Sequence, residues 1–216
     1  MVPAVAFVGY HDSGKTTFAT KVVRILKEKG YRIGVLKSTK HRGVIEDSPG
    51  TDSFRYGEAG ADGVGIVEPE RLILFKGLEE RNPEYLAFSL FSDCDLVVCE
   101  GFKNSELPKF EVVRREFREK MLGKGLKNLI GVVSDFPVEG VKNFPIEHPE
   151  AVAEFIEKEF IEKRGKAALF VNGKRVPMNR FVQESLAGVL QGFLSALKGI
   201  EPEIEKIEVK VVLEKK

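Results

Sequence analysis

The chain has 216 residues, 43% of them hydrophobic, enough for one domain of ordinary size and a small appendage around a real core. Its 34 Lys and Arg against 33 Asp and Glu leave a net charge of +1, which gives no electrostatic case for nucleic acid. Two cysteines exclude a disulfide scaffold, and the lack of an apolar run of about 18 residues excludes a helical membrane span.

The first element is also the most informative. Val5, Ala6, Phe7 and Val8 form a short apolar run, as a buried parallel strand does. Gly9-Tyr10-His11-Asp12-Ser13-Gly14-Lys15-Thr16-Thr17 follows, with two glycines, a lysine and a hydroxyl residue at phosphate-loop spacing. Phe18, Val22, Val23, Ile25 and Leu26 then recur at near-helical spacing up to Gly30, a natural stop. Gly9 and Gly14 let backbone N–H groups turn inward around a phosphate, and the helix N-terminus adds partial positive charge. Lys15 reaches the outer phosphates in this reading, and the Thr16 hydroxyl ligates Mg2+. No signal peptide precedes the loop, so the expected location is the cytoplasm. Charged residues reach 31% while Gln183 and Gln191 are the only glutamines, a bias that leans towards thermophile composition.

Further along, strands are expected at 31–36, 63–67, 71–75, 96–99, 110–113 and 129–133, with helices near 53–59, 83–91 and 149–163. The polar segment 38–50 reads as irregular. Alternating strands and helices indicate an α/β fold, a phosphate-loop NTPase whose mostly parallel sheet is flanked by helices. Beyond residue 165 the pattern changes. Asn172-Gly173 between 167–171 and 174–176 signals a type I′ hairpin, followed by a helix at 179–197 and an alternating strand at 204–213. The expected division is a nucleotide-binding domain at 1–165 and a small C-terminal β-β-α-β module at 166–216. Ala187, Gly188, Gly192, Ser195 and Ala196 make the last helix narrow, which reads as core packing before a dimer seam.

The metal acids are sought at the carboxyl ends of strands near the loop. Glu100, closing the run Leu96–Cys99, is the best candidate, whereas Asp95 reads as strand punctuation at the far edge. Asp52 is the other acid favoured, with helix capping as its plain alternative. His41 reads as an exposed loop residue. No general base or arginine finger is identifiable, so the catalytic residues are unassigned.

These pieces stand in a recognisable order. The loop at 9–17, Lys37-Ser38-Thr39-Lys40-His41, Asp47-Ser48-Pro49-Gly50-Thr51-Asp52-Ser53, Ala59-Gly60-Ala61, and Glu100-Gly101-Phe102-Lys103 before Pro108-Lys109 together resemble the MobB family. Its members are GTP-binding accessory proteins of molybdopterin guanine dinucleotide biosynthesis, and the resemblance covers about residues 1–160. It implies a homodimer with weak GTPase activity that assists a MobA-like molybdenum cofactor nucleotidyltransferase, which joins GMP to molybdopterin. Molybdopterin itself is a further candidate ligand. GTP and Mg2+ are the implied cofactors, with Gly9, Asp12, Ser13, Gly14, Lys15, Thr16 and Thr17 on the nucleotide. Thr16, Asp52 and Glu100 are the implied metal ligands. Tyr10 and His11 depart from the small residues usual after the first glycine.

Guanine is expected at Ser134-Asp135, where the 129–133 strand ends. A carboxylate there can accept from guanine N1–H and N2–H2, a donor pair adenine lacks. The usual Asn-Lys-x-Asp signature is absent, so this assignment rests on position and on the resemblance; capping the turn before Pro137 is the alternative. Two other functions stand beside the leading one. A metal-insertion GTPase chaperone calls for a Cys/His cluster, which Cys94, Cys99 and three scattered histidines do not supply. An ATP-dependent small-molecule kinase or ligase requires ATP and a compact acceptor.

Overall fold

A computed structural model describes residues 2–41, 47–199, 203–209 and 211, the Lys124 side chain excepted. Six parallel strands form the central sheet, in the order β2-β5-β1-β6-β7-β8. They are β1 (Ala4–Val8), β2 (Ile33–Lys37), β5 (Leu96–Glu100), β6 (Lys109–Val113), β7 (Leu129–Ser134) and β8 (Asn143–Pro145). A parallel sheet buries both faces, and β1 shows it. Val5 and Phe7 pack with Phe18, Val22 and Leu26 of α1 (Lys15–Glu28) and with Val152 and Ile156 of α4 (Pro149–Ile156). Ala6 and Val8 face the other way, joining Val97, Cys99, Leu107 and Ala87 of α3 (Pro83–Leu90). The Cys99 thiol is buried there and its pKa is pushed up to about 12 by desolvation, as suits an inert core residue.

Because all six strands are parallel, their carboxyl ends share one edge. The loop after β1, Glu100 of β5, Arg114 after β6, and Ser134 with Asp135 at the end of β7 all emerge there. Asp95, at the start of β5, lies at the opposite edge, where it accepts from the Arg32 backbone N–H at 2.9 Å and pairs with Arg164 at 2.5 Å.

Some elements differ from expectation. β8 is a three-residue edge strand ending in Pro145, and its Phe144 joins the core; proline at a sheet edge removes no needed donor. The helix expected at 149–163 is α-helical only to Ile156 and continues as a π-helical turn, Glu157–Ile161. There Glu157 meets Lys29 and, at 2.8 Å, the Tyr31 hydroxyl, tying this turn to the end of α1. α2 (Asp52–Glu58) precedes β3 (Gly63–Val67) and β4 (Leu72–Lys76), an antiparallel pair separate from the main sheet.

After residue 165 come the hairpin β9 (Leu169–Val171) and β10 (Lys174–Val176), then α5 (Arg180–Ser195) capped by Asn179, which accepts from the Val182 N–H at 2.9 Å. Phe170 stacks on Phe88 at 4.8 Å and seats the hairpin on α3. Residues 204–209 and 211 form no strand, and 210, 212 and 213 lie outside the described residues. An alternating pattern without a neighbouring edge to pair with leaves Val209 and Val211 exposed. The narrow face of α5 is not core packing either: a β-carbon at Gly188 or Gly192 would meet nothing within 4 Å. No helix among the described residues is long and apolar enough to cross a membrane.

Candidate phosphate-binding site

The loop between β1 and α1 is held by its backbone. Gly9 has φ +148, and a β-carbon there would lie 2.3 Å from the Val112 carbonyl oxygen, so the first glycine is required by close approach. Gly14, at φ 87, is the N-cap of α1 and offers no side-chain cap to the helix's free N–H groups. Ser13 is fully buried beneath the loop, and its hydroxyl is the buried side-chain polar atom left without a hydrogen bond among the described residues. Uncapped amides and an orphaned buried hydroxyl are what an anion would satisfy. Asp12 lies in the left-handed region at φ 60, exposed, with His11 2.7 Å from its carboxylate.

Lys15 folds back on its own loop, its ammonium donating to the Tyr10 carbonyl at 2.5 Å. Burial lowers its pKa, and the nearby carboxylates of Glu100 and Asp12 act in the opposite direction. Thr16 donates to Glu100 Oε2 at 2.8 Å, and Lys37 lies 3.2 Å from Glu100 Oε1. The first turn of α1 and the end of β5 therefore meet at one carboxylate. Thr17, next in the helix, is exposed.

Asp52 is placed apart from this group. It opens α2, its side chain is 91% exposed, and it pairs with Arg55 at 3.5 Å. Thr51, not Asp52, caps that helix, accepting from the Phe54 N–H at 3.2 Å. Ser134 and Asp135 do emerge on the shared edge. However, the Ser134 hydroxyl is buried and donates to the Phe136 carbonyl, while Asp135 is exposed and accepts from the Arg115 N–H at 2.8 Å. The alternative for Asp135 as a cap for its own turn gives way to a tie across strands. His41 is exposed.

Arg114 is the residue that reading by spacing misses. It follows β6, which pairs directly with β1, and its Nε and Nη2 lie 3.4 and 3.5 Å from where a Gly14 β-carbon would stand. It has no carboxylate partner among the described residues. The unusual Tyr10 is explained nearby: its ring lies 6.0 Å from Phe117, and the Lys120 ammonium sits 4.3 Å over it. The loop's entrance is thus lined by the segment that follows β6. Among the described residues, no group of three or more His, Cys, Asp or Glu is arranged to hold a metal ion.

The model of the family described as molybdopterin guanine dinucleotide synthesis protein B matches residues 4–135. The molybdopterin-guanine dinucleotide biosynthesis adapter protein of Escherichia coli K12 is 31% identical over 165 residues, 72% of this chain and 92% of its own. A relative in Methanocaldococcus jannaschii is 24% identical over 234 residues, covering 96% of this chain and 97% of its own, so its match extends past residue 165. Among solved structures, a molybdopterin-guanine biosynthesis protein B is similar with TM-score 0.58 and 30% identity, over 72% of this chain and 97% of that one.

Proposed function

Because the chain belongs to the family of molybdopterin guanine dinucleotide synthesis protein B, we propose that it is a GTP-binding adapter of molybdenum cofactor biosynthesis. In this reading it assists a MobA-like nucleotidyltransferase that attaches GMP to molybdopterin. The observation that carries the nucleotide part is the start of α1, where an uncapped N-terminus surrounds the buried, unpartnered Ser13 hydroxyl. Backbone N–H groups from Gly9 to Thr17 and the Ser13 hydroxyl would bind the inner phosphates, and Lys15 would exchange the Tyr10 carbonyl for an outer phosphate. Arg114 adds a second cation from the neighbouring strand.

Mg2+ fits the pair Thr16 and Glu100. The hydroxyl and the carboxylate already meet at 2.8 Å, and both are the hard oxygen donors that would hold such an ion. This ion keeps waters and substrate phosphates as ligands, so two protein oxygens suffice. It would supply neutralisation of phosphate charge. Asp52 has its metal role from the resemblance alone and would have to leave Arg55 to take it up. Asp135 keeps one carboxylate oxygen for guanine, whereas Ser134 is assigned only to shaping the turn. We assign no general base, and hydrolysis by the isolated protein is expected at about 10⁻⁴–10⁻² per second.

The division into a nucleotide-binding domain at 1–165 and a module at 166–216 is part of the proposal, as are a cytoplasmic location and a homodimer. Val67, Leu72 and Leu74 of the β3–β4 hairpin are exposed apolar residues that support pairing with a second copy. Calorimetric titration of wild type and Lys15→Ala with GTP and ATP in Mg2+ tests the nucleotide site. Addition of the protein to a molybdenum cofactor nucleotidyltransferase, with dinucleotide formation as readout, tests the adapter role. Equal affinity for ATP would move the kinase or ligase reading ahead.

A further inference from the structure

Beside the phosphate loop lies a cavity of about 1050 Å³, whose lining includes Val8 and Gly9. We propose that it is a second binding site, for a small molecule bearing a phosphate group, and that the C-terminal hairpin supplies one of its walls. The charge is the first argument. Lys40, Arg81, Lys103 and Lys174 line the cavity, and none has an ion-pair partner among the described residues. The two carboxylates of the lining are already neutralised, Glu84 by Arg175 at 3.8 Å and Glu106 by Lys127 at 2.7 Å. Four cations without an ion pair around one concave space favour an anion of more than one charge.

The second argument is that both walls are built. On one side, the segment after Glu100 turns through two successive left-handed residues, Gly101 at φ 89 and Phe102 at φ 56. The Ser105 hydroxyl closes that turn on the Phe102 carbonyl at 2.8 Å. The buried Lys109 ammonium then fixes the Ser105 and Leu107 carbonyls at 2.6 and 2.8 Å, so Lys103 projects from a fixed loop. On the other side, Phe170 lies against Phe88 and Tyr85, and with Arg175–Glu84 this seats the hairpin that carries Lys174. The volume is that of an organic small-molecule site and far exceeds a bare phosphate ion. Its border on Gly9 sets the ligand next to the nucleotide, on the β5 side of β1, away from Arg114 and Asp135 on the β6 side.

Pyridoxal 5′-phosphate is a suitable probe, because its phosphate directs an aldehyde onto neighbouring lysines. The full chain is treated with it, with and without saturating GTP and Mg2+, reduced with borohydride, and mapped by mass spectrometry; pyridoxal is the control. Lys103 and Lys174 should label about tenfold or more faster with the phosphorylated probe, and should do so with GTP present. Arg81→Gln removes a phosphate-binding cation that cannot itself be labelled, and should slow labelling of both lysines several-fold. Equal rates with pyridoxal, labelling spread evenly over surface lysines, or indifference to Arg81→Gln would overturn the proposal. So would loss of Lys103 and Lys174 labelling in GTP, which would mean that the nucleotide itself fills the cavity. The proposal relies on the nucleotide reading only for that arm, and protection of Lys15 by GTP reports on that reading separately.

Discussion

Arg114→Ala should weaken GTP binding while leaving the fold intact. The guanidinium lies 3.4–3.5 Å from where a Gly14 β-carbon would stand, so a phosphate seated on the α1 amides would come within its reach. A hydrogen bond to a charged group contributes about 1.5–3 kcal/mol, which spans about 10- to 150-fold in affinity. Arg114 is exposed, so solvent screening favours the lower part of that range, roughly 10- to 40-fold. With no carboxylate partner among the described residues, it breaks no ion pair there on binding. For the same reason its removal should change unfolding free energy by no more than about 0.5 kcal/mol. Arg114→Lys retains the charge but not the planar fork and should fall between the two. Titration calorimetry with GTP, GDP and guanosine separates the possibilities: both nucleotides should lose affinity and guanosine should not. Unchanged GTP affinity, or an equal loss for guanosine, would refute a phosphate contact.

Glu100→Gln should reduce the Mg2+-dependent part of GTP affinity by about 10- to 100-fold, read from titrations with and without the metal. Asp52→Asn tests the other acid: unchanged Mg2+ dependence removes it from the site, and a loss like that of Glu100→Gln would require α2 to close over the loop. Asp135→Asn should shrink the preference for GTP over ATP by about 1–3 kcal/mol in competition binding, and an unaltered ratio would move guanine recognition elsewhere. For the π-helical turn, hydrogen bonds from Lys29 and Tyr31 hold the Glu157 carboxyl below the ordinary glutamate value of 4.5. A depressed carboxylate stabilises fully above its unfolded pKa and loses that contribution as pH falls through the folded one. Wild type should therefore unfold at a higher temperature than Glu157→Gln at neutral pH, and the gap should close below pH 4.5; a constant gap into acid contradicts this.

The phosphate loop was legible because its requirements are local. Glycines, lysine and threonine stand at fixed spacing, and the flanking elements keep their own periods. Glu100 was nearly as legible, since a carboxylate ending an apolar strand has few other reasons to be there. Arg114 was not, because its place beside the loop depends on β6 lying next to β1, a pairing between segments about a hundred residues apart that no local period encodes. The strand end locates Ser134 at the ligand edge but does not fix its side chain, whose hydroxyl turns inward to the Phe136 carbonyl. β8 escaped because three residues with a proline give no alternation to count. At 204–213 the reverse occurred: alternation was present and no partner strand was, so local pattern exceeded tertiary support among the described residues.

Two ions on β6 connect the core to the site. Lys109 and Glu111, two residues apart on one face, are both buried, beside Ala6 and Val8 of β1. A charge in such a place costs several kcal/mol unless its hydrogen bonds are met. They are met by backbone. The Lys109 ammonium donates to the carbonyls of Ser105, Leu107 and Lys127, filling all three N–H positions, while burial lowers its pKa. The Glu111 carboxylate accepts from the Leu122 and Gly123 N–H groups at 2.5 and 2.9 Å. Apolar residues at these positions could give equal stability, but they could not fix the direction of loop carbonyls and amides. The gain is in placement: one ion holds the segment that leaves Glu100 and carries Lys103, and the other holds the turn that follows Arg114. Both segments flank the β1 loop, so a single buried strand sets the two sides of the proposed nucleotide site without a direct contact between them.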